Sequence, residues 1–340
     1  MSKKSRRKAS CIFERSTGIS FKCKRGCEAA EKERTVLENY GIITSCKCPL
    51  YGAVLPDCGI NSGELSDELV SGWLVKIAKP SAEQRSDWLR ITTHYGYKGY
   101  VRAACVRLLA KSSRGELMWE ERKRLCRINS DFADILCCPD IRASAAATLY
   151  RDSFVERLEE TKKERADGWS KVRCADGTEG YIHSVYLSPR KDDDEYFLRG
   201  NLLWQKSLKN ITDRDRFRRR LVECANSYMG TQYRWGGKSP KGLDCSGFVF
   251  LCYMENGVLI YRDAEMRQGY PVHEISREAA EPGDLIYWKG HVAMYLGNSR
   301  YIHATGNSLS ACVTVNSFDP EEDDYRADLA ESVTAFGSIF

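Results

Sequence analysis

A chain of 340 residues, 42% of them hydrophobic, is long enough to pack two or three domains rather than one. Its formal net charge of +5 does not describe a basic fold, because residues 1–34 hold eleven Lys or Arg against four Glu and leave −2 for the rest. No apolar run approaches the roughly 18 residues of a membrane-spanning helix, and the basic opening lacks interleaved aromatics, so neither a membrane span nor a nucleic-acid partner is expected.

The opening Met1–Lys8 has the charge of a signal-peptide start, yet Glu14 and Arg15 interrupt it before an apolar core develops. The expectation is a solvated, disordered segment over 1–40 and a cytoplasmic protein, with export by another route left open. Fifteen cysteines, an odd number without an export signal, argue for reduced thiols rather than a disulfide framework. Cys23-x-x-x-Cys27 with Cys46-x-Cys48 raises a four-thiolate zinc site, but the second spacing is too tight for a usual ligand pair. Neither metal nor cofactor is expected, and Cys137, Cys138 and Cys224 read as small buried apolar side chains.

A repeat follows. Trp88-Leu-Arg-Ile91 precedes Gly99-Tyr100, and Trp169-Ser-Lys-Val172 precedes Gly180-Tyr181, with twelve residues from tryptophan to tyrosine in both copies. Each copy reads as strand, turn and strand behind an earlier strand, 74–78 in one and 153–158 in the other. Two small all-β barrels are expected, over 45–110 and 130–190. The run Asp192-Asp-Asp-Glu195 then makes a charged linker to a last domain over 205–340.

In that last domain, Thr212 and Asp215 give a capping-box-like start to a helix carrying Phe217, Leu221, Val222 and Ala225. The segment 233–247, Tyr-Arg-Trp-Gly-Gly-Lys-Ser-Pro-Lys-Gly-Leu-Asp-Cys-Ser-Gly, brings a glycine-rich loop to a second helix. Phe248, Val249, Cys252 and Tyr253 recur on one face, with Asp244 as N-cap and Gly257 past the end. Cys245 then sits in the first helical turn, where unpaired amides and the helix dipole favour thiolate, the form that attacks carbonyls. A base is offered by His291, in the strand-like run Gly-His-Val-Ala-Met-Tyr-Leu-Gly, and His303 follows in Tyr-Ile-His-Ala-Thr. Adjacent antiparallel strands would bring both imidazoles together, His291 as base and His303 accepting from its other ring nitrogen to fix the tautomer. His94, His183 and His273, on turns or strand ends, read as packing or surface residues.

The order and wording of these motifs resemble the NlpC-type family of papain-like cysteine peptidases, which cut peptide stems of bacterial peptidoglycan. Tyr233–Gly237, Asp244-Cys245-Ser246-Gly247, Pro282-Gly283-Asp284-Leu285 and Gly290-His291-Val292 carry the likeness. It implies an α+β papain-like catalytic domain with Cys245, His291 and His303 as the catalytic set. The two repeats are similar to bacterial SH3-like domains, and the whole arrangement resembles γ-D-glutamyl-L-diamino acid endopeptidases acting on muropeptides with a free N-terminal L-alanine. In that subfamily the first SH3-like domain closes the far end of the cleft. The resemblance implies substrate contacts at Asp244, Ser246 and Asp263, and, from the first barrel, at Glu68 and Tyr97, where Tyr95 or Tyr100 is an equal candidate. Asp244 is also accounted for as a plain N-cap. Trp235 lines the cleft or staples the loop, and Tyr233 is a candidate oxyanion donor. An amidase or acyltransferase of the same fold, or a non-catalytic wall-binding protein, is the alternative.

Overall fold

Antiparallel strands are the commonest regular element among the described residues. A computed structural model describes residues 40–53, 64–78, 87–109, 124–159, 161–163, 167–189, 208–209, 211–307 and 309–340, all in one unit spanning Leu37–Phe340. The segment 1–39, with Cys23 and Cys27, and the acidic run 192–195 lie outside the described residues.

Seven antiparallel strands form the first sheet: β1 (Tyr40–Ile43), β2 (Lys47–Tyr51), β3 (Leu65–Val70), β4 (Leu74–Ile77), β5 (Trp88–Thr93), β6 (Lys98–Arg102) and β7 (Val106–Leu108), in spatial order β3-β2-β6-β5-β4-β1-β7. Seven more form the second: β8 (Leu125–Ile128), β9 (Phe132–Leu136), β10 (Ala145–Tyr150), β11 (Phe154–Arg157), β12 (Trp169–Arg173), β13 (Glu179–His183) and β14 (Leu187–Pro189), ordered β10-β9-β13-β12-β11-β8-β14. Counted within each set, the two orders are identical, and a single 3-10 turn links the last two strands of both, at Ala103–Cys105 and Ser184–Tyr186. The repeated tryptophans open β5 and β12, and the repeated tyrosines lie on their hairpin partners: Arg90 faces Tyr100, and Lys171 faces Tyr181. Each sheet starts about five residues ahead of the expected limit, at Tyr40 and Leu125, because β1 and β8 pair on both sides, β1 with β4 and β7, β8 with β11 and β14.

In the C-terminal part, helix α1 (Arg214–Ser227) is followed by the short hairpin β15 (Lys238–Ser239) and β16 (Gly242–Leu243), then α2 (Cys245–Glu255). A sheet ordered β17-β22-β18-β19-β20-β21 comes next, from β17 (His273–Ile275), β18 (Leu285–Trp288), β19 (His291–Gly297), β20 (Arg300–Ala304) and β21 (Val313–Ser317), with α3 (Ala327–Ala330) before β22 (Ala335–Ser338). Three helical expectations need correction. The N-cap of α1 is Asp213, which accepts from the Arg216 amide at 2.9 Å, rather than Thr212. Val222 is only half-buried, whereas Arg218 is buried because it ion-pairs with Asp284 at 2.8 Å. Helix α2 has no single apolar face, since residues 245–254 are all buried between α1 and the sheet.

Period 2 covers the sheet on both sides. Leu285, Tyr287, Val292, Met294, Ile302 and Ala304 join the core containing α2, while Ile286, Trp288, Ala293 and Tyr301 pack with Phe318 and Phe336 on the opposite face. The first sheet shares its core with the C-terminal part, and the second keeps a smaller core of its own around Ile128, Ile135, Val155, Val172 and Ile182. The docking of the first sheet is tight at Gly236, whose φ of +69° suits glycine and where a Cβ would fall 2.5 Å from Leu65 of β3. Among the described residues no helix is long and apolar enough to cross a membrane.

Candidate active site

The glycine-rich loop is folded by its own backbone. Arg234 donates to the Leu243 carbonyl at 3.0 Å and Asp244 to the Gly237 carbonyl at 3.1 Å, which sets the chain directly into α2. A Cβ at Gly247 would lie 2.2 Å from the Gly237 carbonyl oxygen, so only glycine lets the helix start against the loop. Asp244 caps α2 by accepting from the Gly247 amide at 2.5 Å, and Cys245 takes the first helical position.

The Cys245 sulfur lies 4.0 Å from the Gly290 carbonyl, so it rests against the peptide that leads into His291. His291 Nε2 is 2.7 Å from His303 Nδ1, and His303 Nε2 is 2.9 Å from Asn316 Oδ1 on β21. The expected pair of strands is therefore real: β19 and β20 are neighbours, Met294 facing Ile302. One step along, Ala293 faces His303, which makes His291 and His303 a diagonal pair within reach of each other.

Electrostatics correct one expectation. Burial, then the Asp244 carboxylate, push the Cys245 thiol up to about 11, against the smaller pull of the Val292 amide and Arg262. Burial lowers His291 to about 3 and His303 to about 4. Burial, with Cys245 only 7% exposed, thus opposes the thiolate that the helix start favours and opposes the imidazolium as well.

A cleft of about 390 Å³ opens over the sulfur. Tyr97, Tyr233, Trp235, Asp244, Ser246 and Asp263, all expected from the sequence, line it together with Glu64, Leu65 and Ser66 of the first sheet region, Arg262, Ala264, Glu265 and Gly290. Tyr97 donates to Asp263 at 2.8 Å, tying that region to the loop across the cleft. Burial, then Asp263, raise its hydroxyl pKa. Tyr233 is pushed up to about 12 by burial and by Cys245. Trp235 is 60% exposed, so it forms a lip of the cleft rather than a staple.

Glu68 is the expected contact that the structure withdraws. It is 3% exposed, pairs with Arg234 and Lys47, and does not line the cleft. Glu64, exposed ahead of β3, stands in the cleft instead. The tyrosine ambiguity also ends here: Tyr95 is buried beside Asp67, and Tyr100 lies on β6 opposite Tyr51.

The sequence reading missed a buried ionic cluster. Arg262, 1% exposed, donates to Asp67 at 2.7 Å, to both Asp244 oxygens at 3.1 and 3.0 Å, and to Ser246 Oγ at 2.8 Å. Lys238 donates to Asp67 at 2.8 Å and to Tyr95 at 2.5 Å. Two anions thus meet two cations, joining β3 of the first sheet to the residues flanking Cys245. No local pattern announces partners separated by up to 195 residues. Cys46 is exposed and Cys48 buried, and among the described residues no group of three or more His, Cys, Asp or Glu is arranged to hold a metal. His94 is buried against Trp73, His183 stacks on Trp169 at 3.9 Å, and His273 is exposed, all away from the cleft.

Comparison with known proteins agrees with this geometry. Residues 230–322, which hold the loop, the thiol and both histidines, match the model of the NlpC/P60 family. The chain is 35% identical over 286 residues to Dipeptidyl-peptidase 6 of Lysinibacillus sphaericus, covering 82% of this chain and 93% of that one. It is 37% identical to a Gamma-D-glutamyl-L-lysine dipeptidyl-peptidase of Bacillus cereus over a shorter stretch, 25% of this chain and 27% of that one. In fold it is similar to the crystal structure of an NlpC/P60 family protein from Bacillus cereus, with a TM-score of 0.62 at 16% identity over 87% of this chain and 98% of that one. A likeness that runs through the sheets as well as the thiol and its histidines shows that this chain belongs to the NlpC/P60 family.

Proposed function

We propose that the protein is a cysteine peptidase that hydrolyses the bond between γ-D-glutamate and the diamino acid, diaminopimelate or lysine, of peptidoglycan stem peptides. Its substrates are soluble muropeptides with a free N-terminal L-alanine. In this reading the two seven-stranded sheets are SH3-like barrels, within about 45–110 and 130–190, and 205–340 is the α+β papain-like catalytic domain. The observation that carries it is the acidic, walled cleft at the thiol. Glu64, Asp263 and Glu265 line it beside Cys245, and among the described residues no cation lies within ion-pair distance of Glu64 or Asp263. An ammonium group entering that space meets carboxylates, whereas an acylated amine leaves them desolvated and uncompensated, a larger penalty than a missing methylene. The names of the relatives from Lysinibacillus sphaericus and Bacillus cereus support the same chemistry.

The chain's own groups supply each step. His291 accepts the Cys245 proton as the sulfur attacks the γ-glutamyl carbonyl carbon, and the first-turn amides of α2 face the oxyanion that develops. The imidazolium then gives that proton to the departing amine as the carbon–nitrogen bond breaks. Water, deprotonated by His291, hydrolyses the thioester and restores the thiol. Proton transfer to a neutral imidazole suits a site that disfavours both charges at rest.

Incubation with L-Ala-γ-D-Glu-diaminopimelate, its lysine analogue and their N-acetylated forms tests the reading. L-Ala-γ-D-Glu is expected only from the free-amine substrates, and Cys245→Ala is expected to fold and release none. Undiminished release by that variant, or equal cleavage of acetylated stems, refutes it.

A further inference from the structure

His303 has a hydrogen-bond partner of its own, and that partner is itself held. Asn316 lies on β21, where Thr314 faces His303 and Asn316 faces Tyr301, so the asparagine reaches His303 diagonally. Its Nδ2 donates to the Asp324 carbonyl at 2.7 Å, while its Oδ1 lies 2.9 Å from His303 Nε2. A backbone carbonyl only accepts, so the amide nitrogen must face Asp324 and the amide oxygen must face the histidine. Asp324 is pinned in turn, its side chain by Arg300 at 2.5 Å and its carbonyl by the Ser317 amide at 3.2 Å.

We propose that Asn316 is a positioning residue that sets the tautomers of both histidines through its fixed amide, and thereby selects the nitrogen that acts as base. The chain of inference is short. An amide oxygen accepts, so His303 Nε2 carries hydrogen. A neutral imidazole carries one hydrogen, so His303 Nδ1 is bare and accepts from His291 Nε2–H, 2.7 Å away. His291 Nδ1 is therefore the lone pair left to receive the Cys245 proton. When it does, the Nε2–H bond to His303 is already in place, and no ring has to flip or exchange tautomer during turnover.

This rests on His291 being the base of the proposed peptidase, and the test separates the two. The chain has five histidines, so the ring signals of a uniformly 15N-labelled full-length protein are assignable by single substitution. Long-range 1H–15N spectra are expected to place hydrogen on Nε2 of both His291 and His303 in the wild type. Loss of that single tautomeric state is expected in Asn316→Leu, with a far-ultraviolet spectrum and melting curve like those of the wild type. Hydrogen on Nδ1 of either ring in the wild type, or an unchanged pair of tautomers in Asn316→Leu, overturns the proposal. If the tautomers are as stated and no stem peptide is cleaved, the peptidase reading fails while the positioning stands.

Kinetics add a readout that mere structural support would not move. Asn316→Leu is expected to lower kcat by about 10- to 100-fold, within what general-base catalysis as a whole contributes, with KM nearly unchanged. Asn316→Asp keeps an acceptor at His303 Nε2 and adds a negative charge, so it is expected to recover most of kcat and to move the acid limb of the kcat profile upward. The charged and titratable groups around the pair are Cys245, Arg326, Asp328 and the Tyr301 hydroxyl, which all variants share. A folded Asn316→Asp with no shift of that limb, or an Asn316→Leu with full kcat, refutes the assignment.

Discussion

Replacing Arg262 by methionine keeps the length of the side chain and removes its charge from a fully enclosed position. Asp67 retains Lys238 at 2.8 Å, but Asp244 loses both guanidinium contacts and Ser246 loses its donor at 2.8 Å. The four charged groups then sum to −1 instead of zero. Breaking a buried ion pair from one side costs about 3–5 kcal/mol, and Lys238 keeps this case toward the lower end. With about 2–4 °C per kcal/mol in large domains, the melting temperature is expected to fall by about 10 °C. Adding Asp67→Asn restores neutrality, so the double variant is expected to be less destabilised than the sum of the singles by about 1–3 kcal/mol. Acidity supplies an independent check. Burial opposes the Asp67 carboxylate, but Lys238 and Arg262 outweigh it and hold its pKa below the ordinary value. A depressed folded value gives stability that is present above the unfolded pKa of about 3.9 and is lost as pH falls through the folded value, so the difference between wild type and variant narrows below about pH 4. Thermal denaturation from pH 3 to 8, with kcat measured alongside, reads all of this. A melting temperature within about 2 °C of wild type, or strictly additive single and double variants, refutes the claim that Arg262 joins the first sheet to the start of α2.

Two further outcomes follow from the site. With the thiol raised to about 11 and His291 lowered to about 3, alkylation of Cys245 by iodoacetamide, read by peptide mass spectrometry, is expected to accelerate about tenfold per pH unit from pH 6 to 9; a plateau beginning near pH 5 would mean a standing thiolate–imidazolium pair. Glu64→Gln is expected to raise KM for free-amine stems about tenfold, the loss of one charged hydrogen bond, while Glu68→Gln leaves KM alone and lowers the melting temperature by loosening Arg234, and the opposite pattern would return Glu68 to the cleft.

How far the sequence carried depends on how local each signal is. Cys245, Asp244 and the glycines of 233–247 were legible because a helix start against a tight loop demands those residue types within a few positions. His291 and His303 were legible because each lies in a short strand-like run, and their strands are neighbours in sequence as well as in space. The twelve-residue Trp-to-Tyr spacing announced two copies of one topology, since a hairpin fixes its own register. Asn316 was less visible. It is an ordinary polar residue in a strand, and only the pairing of β20 with β21 brings its amide to His303.

The primary structure by itself therefore pointed to a helix-start cysteine, two strand histidines and the repeated sheets, each encoded within segments short enough for backbone sterics and side-chain period to decide. Tertiary packing alone decided the burial of the thiol, which opposes the thiolate that a helix terminus favours, and the place of Glu64 rather than Glu68 on the cleft. It also decided the clamp of Asp67, Lys238, Arg262 and Asp244, because ion pairs and desolvation depend on distance through space and on the water excluded there, and neither is a property of neighbouring residues in the chain.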